Sequence, residues 1–384
     1  MQVIYPMITR TLAKNISQKM HCGKAIIVVG ARQTGKTTLI EHILKDQDYL
    51  FLNGDDPSVR TLLTGVNTDQ IRRLIGQHNV VFLDEAQRIP GIGLTLKIIT
   101  DRFPEVQLLV SGSSSFDMAH QLNEPLTGRK WEYTLFPVSW REFEGHVGYL
   151  QAEQQLETRL LYGNYPEVVS FPGEERERLR ELVGSYLYRD ILAYAGIRKP
   201  EVLDNLLLAL ALQVGNEVNY NELAQTTGLN KGTVANYIDI LEKGYIVFRL
   251  NSFARNLRTE IKRTRKIYFY DNGVRNAIIS NFQPLDLRED KGALWENFLV
   301  SERLKYNLYD NTGARMYFWR TRQQQEIDYV EERDGHLTAY EFKWRPRKAK
   351  VSSSFLSAYD ATARTIHRDN FRDFVQDPGP QEHQ

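Results

Sequence analysis

The apolar, β-branched run AIIVV (25–29) leads directly into GARQTGKT (30–37), and that octet into TLIEHIL, a helix-forming stretch. The octet fits G-x-x-x-x-G-K-[ST] in full, and its flanks demand a strand, a tight loop and a helix in succession. No other feature narrows the fold as much. The residue types answer to phosphate chemistry. Glycines let backbone N–H groups curl around oxyanions, and the start of the following helix adds the positive end of its dipole. The expected nucleotide-contacting set is Gly30, Ala31, Arg32, Gln33, Thr34, Gly35, Lys36, Thr37 and Thr38. Lys36 is placed to reach the β- and γ-phosphates, and the Thr37 hydroxyl to ligate Mg²⁺.

A partner motif lies in VVFLDEAQ. Asp84 ends an apolar strand, where a carboxylate can hold magnesium at the strand's carboxyl end. Glu85 follows at once and, if the backbone turns there, can orient or deprotonate an attacking water. The bland alternative is a solvated strand end beside a glycine turn. AIIVV is one of five apolar runs, with YLFLN (49–53), NVVFLD (79–84), VQLLVSG (106–112) and YTLF (133–136), separated by helix-like segments. Continuous apolar strands alternating with helices predict an α/β domain with a parallel sheet covered on both faces.

The chain has 384 residues, which predicts two to three domains. A net charge of +1 does not mark the whole molecule as a polyanion binder, so any attraction to nucleic acid must come from local clustering. The single cysteine, Cys22, excludes an internal disulfide framework and suits a reducing compartment. No apolar run approaches a membrane span and no secretory leader is evident, so a cytoplasmic location and no membrane partner are expected.

Between the α/β region and the carboxy-terminal part, NELAQTTGLNKGTVANYIDILEKGYI (221–246) has the spacing of two helices about a glycine turn. The second helix is expected to begin near Asn230 and to carry Lys231, Thr233 and Asn236 on its early turns, where side chains can meet phosphates or base edges. ARNLRTEIKRTRK (254–266) follows with six Lys/Arg and one acid, between the apolar runs YIVFRL and KIYFY. Its Arg255, Arg258, Lys262, Arg263 and Arg265 are expected to form a basic wing against DNA. A protein-packing module with a solvated basic face is the competing reading.

In DYVEERDGHLTAYEFK (328–343), Asp334-Gly335 is a strong two-residue hairpin turn. Counting outward puts Arg333 opposite His336 and Asp328 opposite Glu341, with Lys343 on the same face. Opposed carboxylates repel, and a divalent cation held between them would compensate. A third carboxylate is available from Glu296 on the preceding helix. Metal-assisted phosphodiester chemistry would then use Asp328, Glu341 and Glu296 as ligands and Lys343 as the charge stabiliser. Two solvated acids paired with a lysine are the plain alternative.

Taken together, GARQTGKTT, FLDEAQ, LVSGSSS, YFYDNGVRNAI, GALWENFLVSERL and EIDYV…YEFKW resemble a group of bacterial and archaeal AAA-type P-loop ATPases. Their carboxy-terminal domain of unknown function resembles PD-(D/E)XK nucleases, although Ile327 stands where the nuclease pattern has proline. The resemblance implies that YLFLN is the strand intervening between the phosphate-loop strand and the acidic strand. It implies a polar sensor among Ser111, Ser113 and Ser114, and an arginine completing a neighbour's site, for which Arg129 is the candidate. It further implies a ring-like homo-oligomer. The expected organisation is an ATPase core over 1–145, a helical lid over 146–212, a winged helix over 213–266, a nuclease-like domain over 267–368 and a disordered tail over 369–384. The expected function is ATP hydrolysis with Mg²⁺, directed at DNA, driving remodelling or gating a nuclease-like domain with a second Mg²⁺ or Mn²⁺. A nucleotide-controlled protein switch on an inactive nuclease-like platform is the alternative.

Overall fold

The structure, a computed structural model, describes residues 7–112, 126–187, 200–254, 264–321, 323, 325–347 and 351–376. The chain divides into two compact units, residues 1–137 with 243–245 and residues 138–242 with 246–384. Of the residues singled out from the sequence, Ser113, Ser114, Arg255, Arg258, Lys262 and Arg263 lie outside the described residues.

The first unit is built on a five-stranded sheet in the order β2-β3-β4-β1-β5. Its strands are β1 (Ala25–Val29), β2 (Leu50–Asn53), β3 (Val80–Asp84), β4 (Gln107–Gly112) and β5 (Lys130–Thr134), and every pairing is parallel. β1, β3 and β4 are buried along their whole length, which requires helices on both faces and accounts for their unbroken Val/Ile/Leu/Phe character. Ile27 and Val29 share one face with Val81, Leu83, Leu108 and Val110, in a core completed by Ile71, Ile75, Leu96 and Ile99 from the helices.

Two expectations need correction here. The strand between β1 and β3 is β4; YLFLN supplies β2, at the sheet edge beyond β3. Sequence adjacency misled, because strand order in a parallel sheet is set by crossovers rather than by chain order. The fifth strand also starts earlier than YTLF, at Lys130, because its half-exposed edge position tolerates Lys130 and Glu132.

The second unit begins with helices, among them Trp140–Val147, Tyr149–Tyr162 and Pro200–Leu212, followed by the pair Tyr220–Thr227 and Lys231–Lys243. Gly228 takes a left-handed φ of 69° at the turn between that pair, a conformation glycine adopts without steric cost. The sheet of this unit has seven strands in the order β12-β11-β10-β9-β7-β8-β6. They are β6 (Glu217–Val218), β7 (Val247–Ser252), β8 (Arg265–Phe269), β9 (Arg315–Arg320), β10 (Glu326–Arg333), β11 (His336–Phe342) and β12 (Thr362–Ile366). The antiparallel β7–β8 pair is therefore hydrogen-bonded into the same sheet as the β10–β11 hairpin, with β7 parallel to β9 and Phe253 N donating to Phe318 O at 2.7 Å. The boundary expected at 266 falls inside β8.

DNGVRNA (271–277) turns out to be a polar lock. Asp271 caps the helix Asn272–Ile278 and accepts from Asn164 N at 2.7 Å. Asn272 and Asn276 donate to the carbonyls of Leu160 and Leu161, and Asn297 of the long helix Lys291–Tyr309 accepts from Phe269 N on β8. These groups are buried, and each satisfied pair contributes about 1 kcal/mol, whereas an orphaned one costs more. The tail expectation is corrected in part. Arg372–Val375 is helical, and Phe371, Phe374 and Val375 are buried, because this segment carries three large apolar side chains that outweigh its polar continuation.

Candidate functional site

The phosphate loop leaves the carboxyl end of β1 and closes on the helix Lys36–Ile43, whose first residue is Lys36. Gly30 has a φ of 150° and Gly35 one of 88°. A side chain on Gly30 would overlap the backbone of Leu135, whose N–H donates to Val29 O at 2.7 Å, so the loop begins wedged against the segment after β5. Lys36 is buried, and its Nζ donates to the carbonyls of Gly30 at 3.0 Å and Ala31 at 2.8 Å. The ammonium thus lies over the loop's own concavity. Thr34 Oγ1 donates to Ala31 O at 2.9 Å, bracing the loop from within. Arg32 and Gln33 are half-buried and Thr38 is exposed.

Asp84, at the end of β3, gathers the acidic side of the site. Thr37 Oγ1 donates to its Oδ2 at 2.8 Å, Glu85 N donates to its Oδ1 at 3.0 Å, and Ser111 Oγ donates to the same Oδ1. β4 lies between β1 and β3, which is why Ser111 reaches Asp84. A hydroxyl and a carboxylate oxygen at hydrogen-bonding distance form a hard-oxygen pair of the kind Mg²⁺ takes alongside waters and phosphates, so the residues fit that ion. Glu85 adopts the left-handed conformation, φ 50° and ψ 41°. That is costly for a residue with a Cβ and is held by its surroundings. It turns the chain at the point where the sequence required a turn. Gln87 Nε2 donates to the Glu85 carboxylate.

Reading the sequence missed two contributors here, Gln87 and Arg10. Arg10 is buried, with Nη1 on Thr34 O at 2.7 Å and Nη2 on Phe136 O at 2.5 Å. It ties the phosphate loop to the segment after β5, and nothing in MITRTLAK signals a contact so distant in sequence. Arg129 precedes β5, where its carbonyl accepts from Ala25 N, and its guanidinium pairs with Asp101 at 2.5 Å. It therefore sits at the amino ends of the strands, whereas its own phosphate loop sits at the carboxyl ends.

In the second unit, Lys231 and Asn236 are exposed and Thr233 is half-buried on the helix Lys231–Lys243. Thr233 N is capped by Asn230 Oδ1 at 2.8 Å. Lys231 and Arg265 line one cleft of about 930 Å³ with Arg320, Tyr220, Glu217 and Glu222. Arg265 is half-buried, its guanidinium 5.9 Å from the Tyr220 ring.

The β10–β11 hairpin turns at Asp334 and Gly335, with φ values of 51° and 80°, and Arg333 pairs with His336. Asp328 and Glu341 stand one step beyond the last ladder pair, Tyr329 with Tyr340, where β10 is irregular against β9. Asp328 Oδ2 accepts from Phe342 N at 2.8 Å. Lys343 Nζ lies 3.2 Å from Glu341 and 3.8 Å from Asp328. Burial, and then the Asp328 charge, push the Glu341 carboxyl up to about 7.

Glu296 points elsewhere for its partners. It accepts from Lys266 Nζ at 3.0 Å and from the Tyr268 hydroxyl at 2.6 Å. Lys266 also pairs with Glu326 at 2.7 Å. Burial opposes the charge on Lys266, but Glu296 and Glu326 outweigh it and keep the ammonium protonated. Among the described residues, no group of three His, Cys, Asp or Glu is placed to hold a metal ion. The expected metal set Glu296, Asp328 and Glu341 is therefore not gathered as one: ammonium groups and a backbone N–H supply the compensation assigned to a cation. Lys266, counted from the sequence as part of the basic run, is turned into the interior, where it is 1% exposed.

Three family models match this chain. One described as an AAA domain covers residues 23–144, a domain of unknown function (DUF8612) covers 153–285, and another (DUF4143) covers 291–379. An uncharacterized protein of Mycobacterium tuberculosis is 28% identical over 354 residues, spanning 91% of this chain and 76% of that protein. An uncharacterized protein of Methanocaldococcus jannaschii is 21% identical over 390 residues, spanning 94% and 83%. Among solved structures, a Walker-type ATPase of Pyrococcus abyssi aligns with a TM-score of 0.48 at 15% identity, covering 71% of this chain and 96% of that one. In the described chain no helix is long and apolar enough to cross a membrane. The phosphate loop, the Thr37–Asp84 pair and the AAA match fall on one stretch of sequence, and the amino-terminal unit is a P-loop ATPase domain of the AAA type.

Proposed function

We propose that the protein is a Mg²⁺-dependent ATPase that works as a homo-oligomer on DNA, with hydrolysis driving remodelling of what its carboxy-terminal unit holds. The observation that carries the hydrolytic part is the convergence of Thr37, Ser111 and the Glu85 N–H on the two oxygens of Asp84. Thr37 and Asp84 would hold Mg²⁺, which on binding would neutralise charge between the β- and γ-phosphates. Lys36 exchanges the carbonyls of Gly30 and Ala31 for phosphate oxygens, so its charge is already desolvated and aimed. Glu85, oriented by Gln87, accepts the proton of the attacking water. Ser111 fixes the second Asp84 oxygen and so keeps the metal-binding one facing Thr37. Arg129, remote from its own loop, is the residue offered to a neighbouring subunit, which makes assembly a condition of full activity.

The DNA part of the reading is supported by exposed Lys231 at the start of the second helix of the pair and by Arg265 in the same cleft. Arg255, Arg258, Lys262 and Arg263 add charge in the adjoining sequence. A second reading, a nucleotide-controlled protein switch on an inactive nuclease-like platform, draws support from the pairing of Lys266 with Glu296 and Glu326.

One experiment separates them: ATP turnover with Mg²⁺, with and without duplex or single-stranded DNA, at stepped salt concentrations. Turnover that Lys36→Ala abolishes and DNA accelerates is the expected result. Equal turnover in wild type and Lys36→Ala removes the ATPase assignment. ATP-dependent self-association with turnover indifferent to DNA transfers it to the switch.

A further inference from the structure

The carboxylate cluster of the second unit already contains a cation. Lys266 on β8 is 1% exposed, with Nζ 3.0 Å from Glu296 on the long helix and 2.7 Å from Glu326 on β10. Tyr268, two residues further along β8, gives its hydroxyl to the same Glu296 oxygen. Lys343 Nζ lies 3.2 Å from Glu341 and 3.8 Å from Asp328 Oδ2, the oxygen to which Phe342 N–H also donates. Four carboxylates from three elements thus meet two ammonium groups. Nitrogen–oxygen separations of 2.7–3.0 Å at Lys266 are those of charge-assisted hydrogen bonds. A divalent ion instead draws its oxygen ligands to about 2.0–2.6 Å, and it needs several of them converging on one point. The Lys266 ammonium stands between Glu296 and Glu326, and burying those acids without it would leave charge uncompensated.

We propose that Lys266 is a resident cation that takes the place of the divalent metal, making this cluster a metal-independent ionic anchor rather than a metal-dependent nuclease centre. The anchor joins β8 to the long helix and to β10, so it fastens the strands of the middle segment to those of the carboxy-terminal segment. It also predicts what removal of the ammonium does. The carboxylates left behind carry one more uncompensated negative charge and become free to collect around an added metal ion.

The test counts Mn²⁺ bound to nucleotide-free, full-length protein by electron paramagnetic resonance, and follows melting temperature with and without Mn²⁺. Wild type and Asp328→Asn are expected to bind the same number of ions. Lys266→Met is expected to melt lower, to gain one Mn²⁺ that restores stability, and to lose that ion when Asp328→Asn is added. Lys266→Gln, which keeps a donor, replaces the Met variant if that one does not fold. A wild-type Mn²⁺ that disappears with Asp328→Asn overturns the proposal without recourse to any Lys266 variant. So does a folded Lys266 variant of undiminished stability that takes up no ion. Neither outcome bears on ATP turnover, which resides in the other unit.

Discussion

Gly54 belongs to no recognised motif, yet the structure makes it a control point for the acidic turn. It follows β2, its N–H donates to Asp84 O at 2.8 Å, and a Cβ built on it overlaps Glu85 O, with Glu85 C at 3.0 Å and Asp84 O at 3.2 Å. Its φ is outside the left-handed range, so Gly54→Ala acts through volume alone. Ordinary carbon–oxygen contacts sit at about 3.3–3.6 Å, so the turn must retreat by roughly 1 Å. Losing the Gly54–Asp84 hydrogen bond costs about 0.5–1.5 kcal/mol, and forcing backbone apart in a packed site costs about 1–3 kcal/mol more. The sum, about 1.5–4.5 kcal/mol, lowers the melting temperature of a unit of this size by roughly 5–20 °C. A displacement of this order at Glu85, the proposed base, is worth up to ~10²-fold in rate. ATP affinity should change little, about threefold or less, because the phosphate loop hangs from β1 rather than from β2. Steady-state turnover, nucleotide titration by calorimetry and thermal unfolding read the three quantities separately. Wild-type turnover and melting temperature in Gly54→Ala would refute the steric argument. Loss of ATP affinity in step with turnover would show that the displacement travels to the loop.

Glu85→Gln should bind ATP normally and slow its hydrolysis by ~10²–10³-fold, read by single-turnover assay; unaltered turnover discards Glu85 as the base. Arg10→Met removes the guanidinium's hydrogen bonds to two buried carbonyls and should cost about 2–4 kcal/mol in urea unfolding, with a several-fold weaker ATP affinity, whereas an exposed arginine lost from the surface would cost almost nothing. For Glu341, burial and Asp328 hold the folded-state value at about 7 against an ordinary 4.5, so the folded protein keeps a proton that the unfolded chain has released. Stability from this group therefore falls as pH rises between about 4.5 and about 7. Glu341→Gln should flatten that slope, leaving pH 4 stability nearly unchanged and adding about 1–2 kcal/mol at pH 8, after allowance for solvent screening at its rim. An identical pH profile in both proteins would contradict the assignment.

Much of the ATPase core was legible because its signals are local. AIIVV coincides with β1, and Asp84 closes β3. Leu223, Ala224, Val234, Ile238 and Leu241, spaced for two apolar helix faces, are all buried. Asp334-Gly335 turns where its positive φ values require. What stayed hidden depends on contacts between distant residues. Lys266 ends a basic run, and only the pairing of β8 with its neighbours turns it inward, so composition alone reads it as solvated. Arg10 acts across more than a hundred residues on Phe136. The two carboxylates of the hairpin and their counterion Lys343 were found by counting, but the ammonium that compensates Glu296 and Glu326 was not, because it comes from β8.

The insertion of β7 and β8 between β9 and β6 in the seven-stranded sheet has a consequence for synthesis on the ribosome. β7 emerges well before β9, the partner for its other edge, with roughly sixty residues between them; at ~5–20 residues per second that interval lasts about 3–12 s. Throughout it the nascent protein carries the 251–253 end of this segment without the partner that β9 supplies, an open edge for pairing with a neighbouring chain. Expression at low temperature or with a holdase should therefore raise the soluble yield of the full-length protein, and fragments ending shortly after β8 should be found in aggregates.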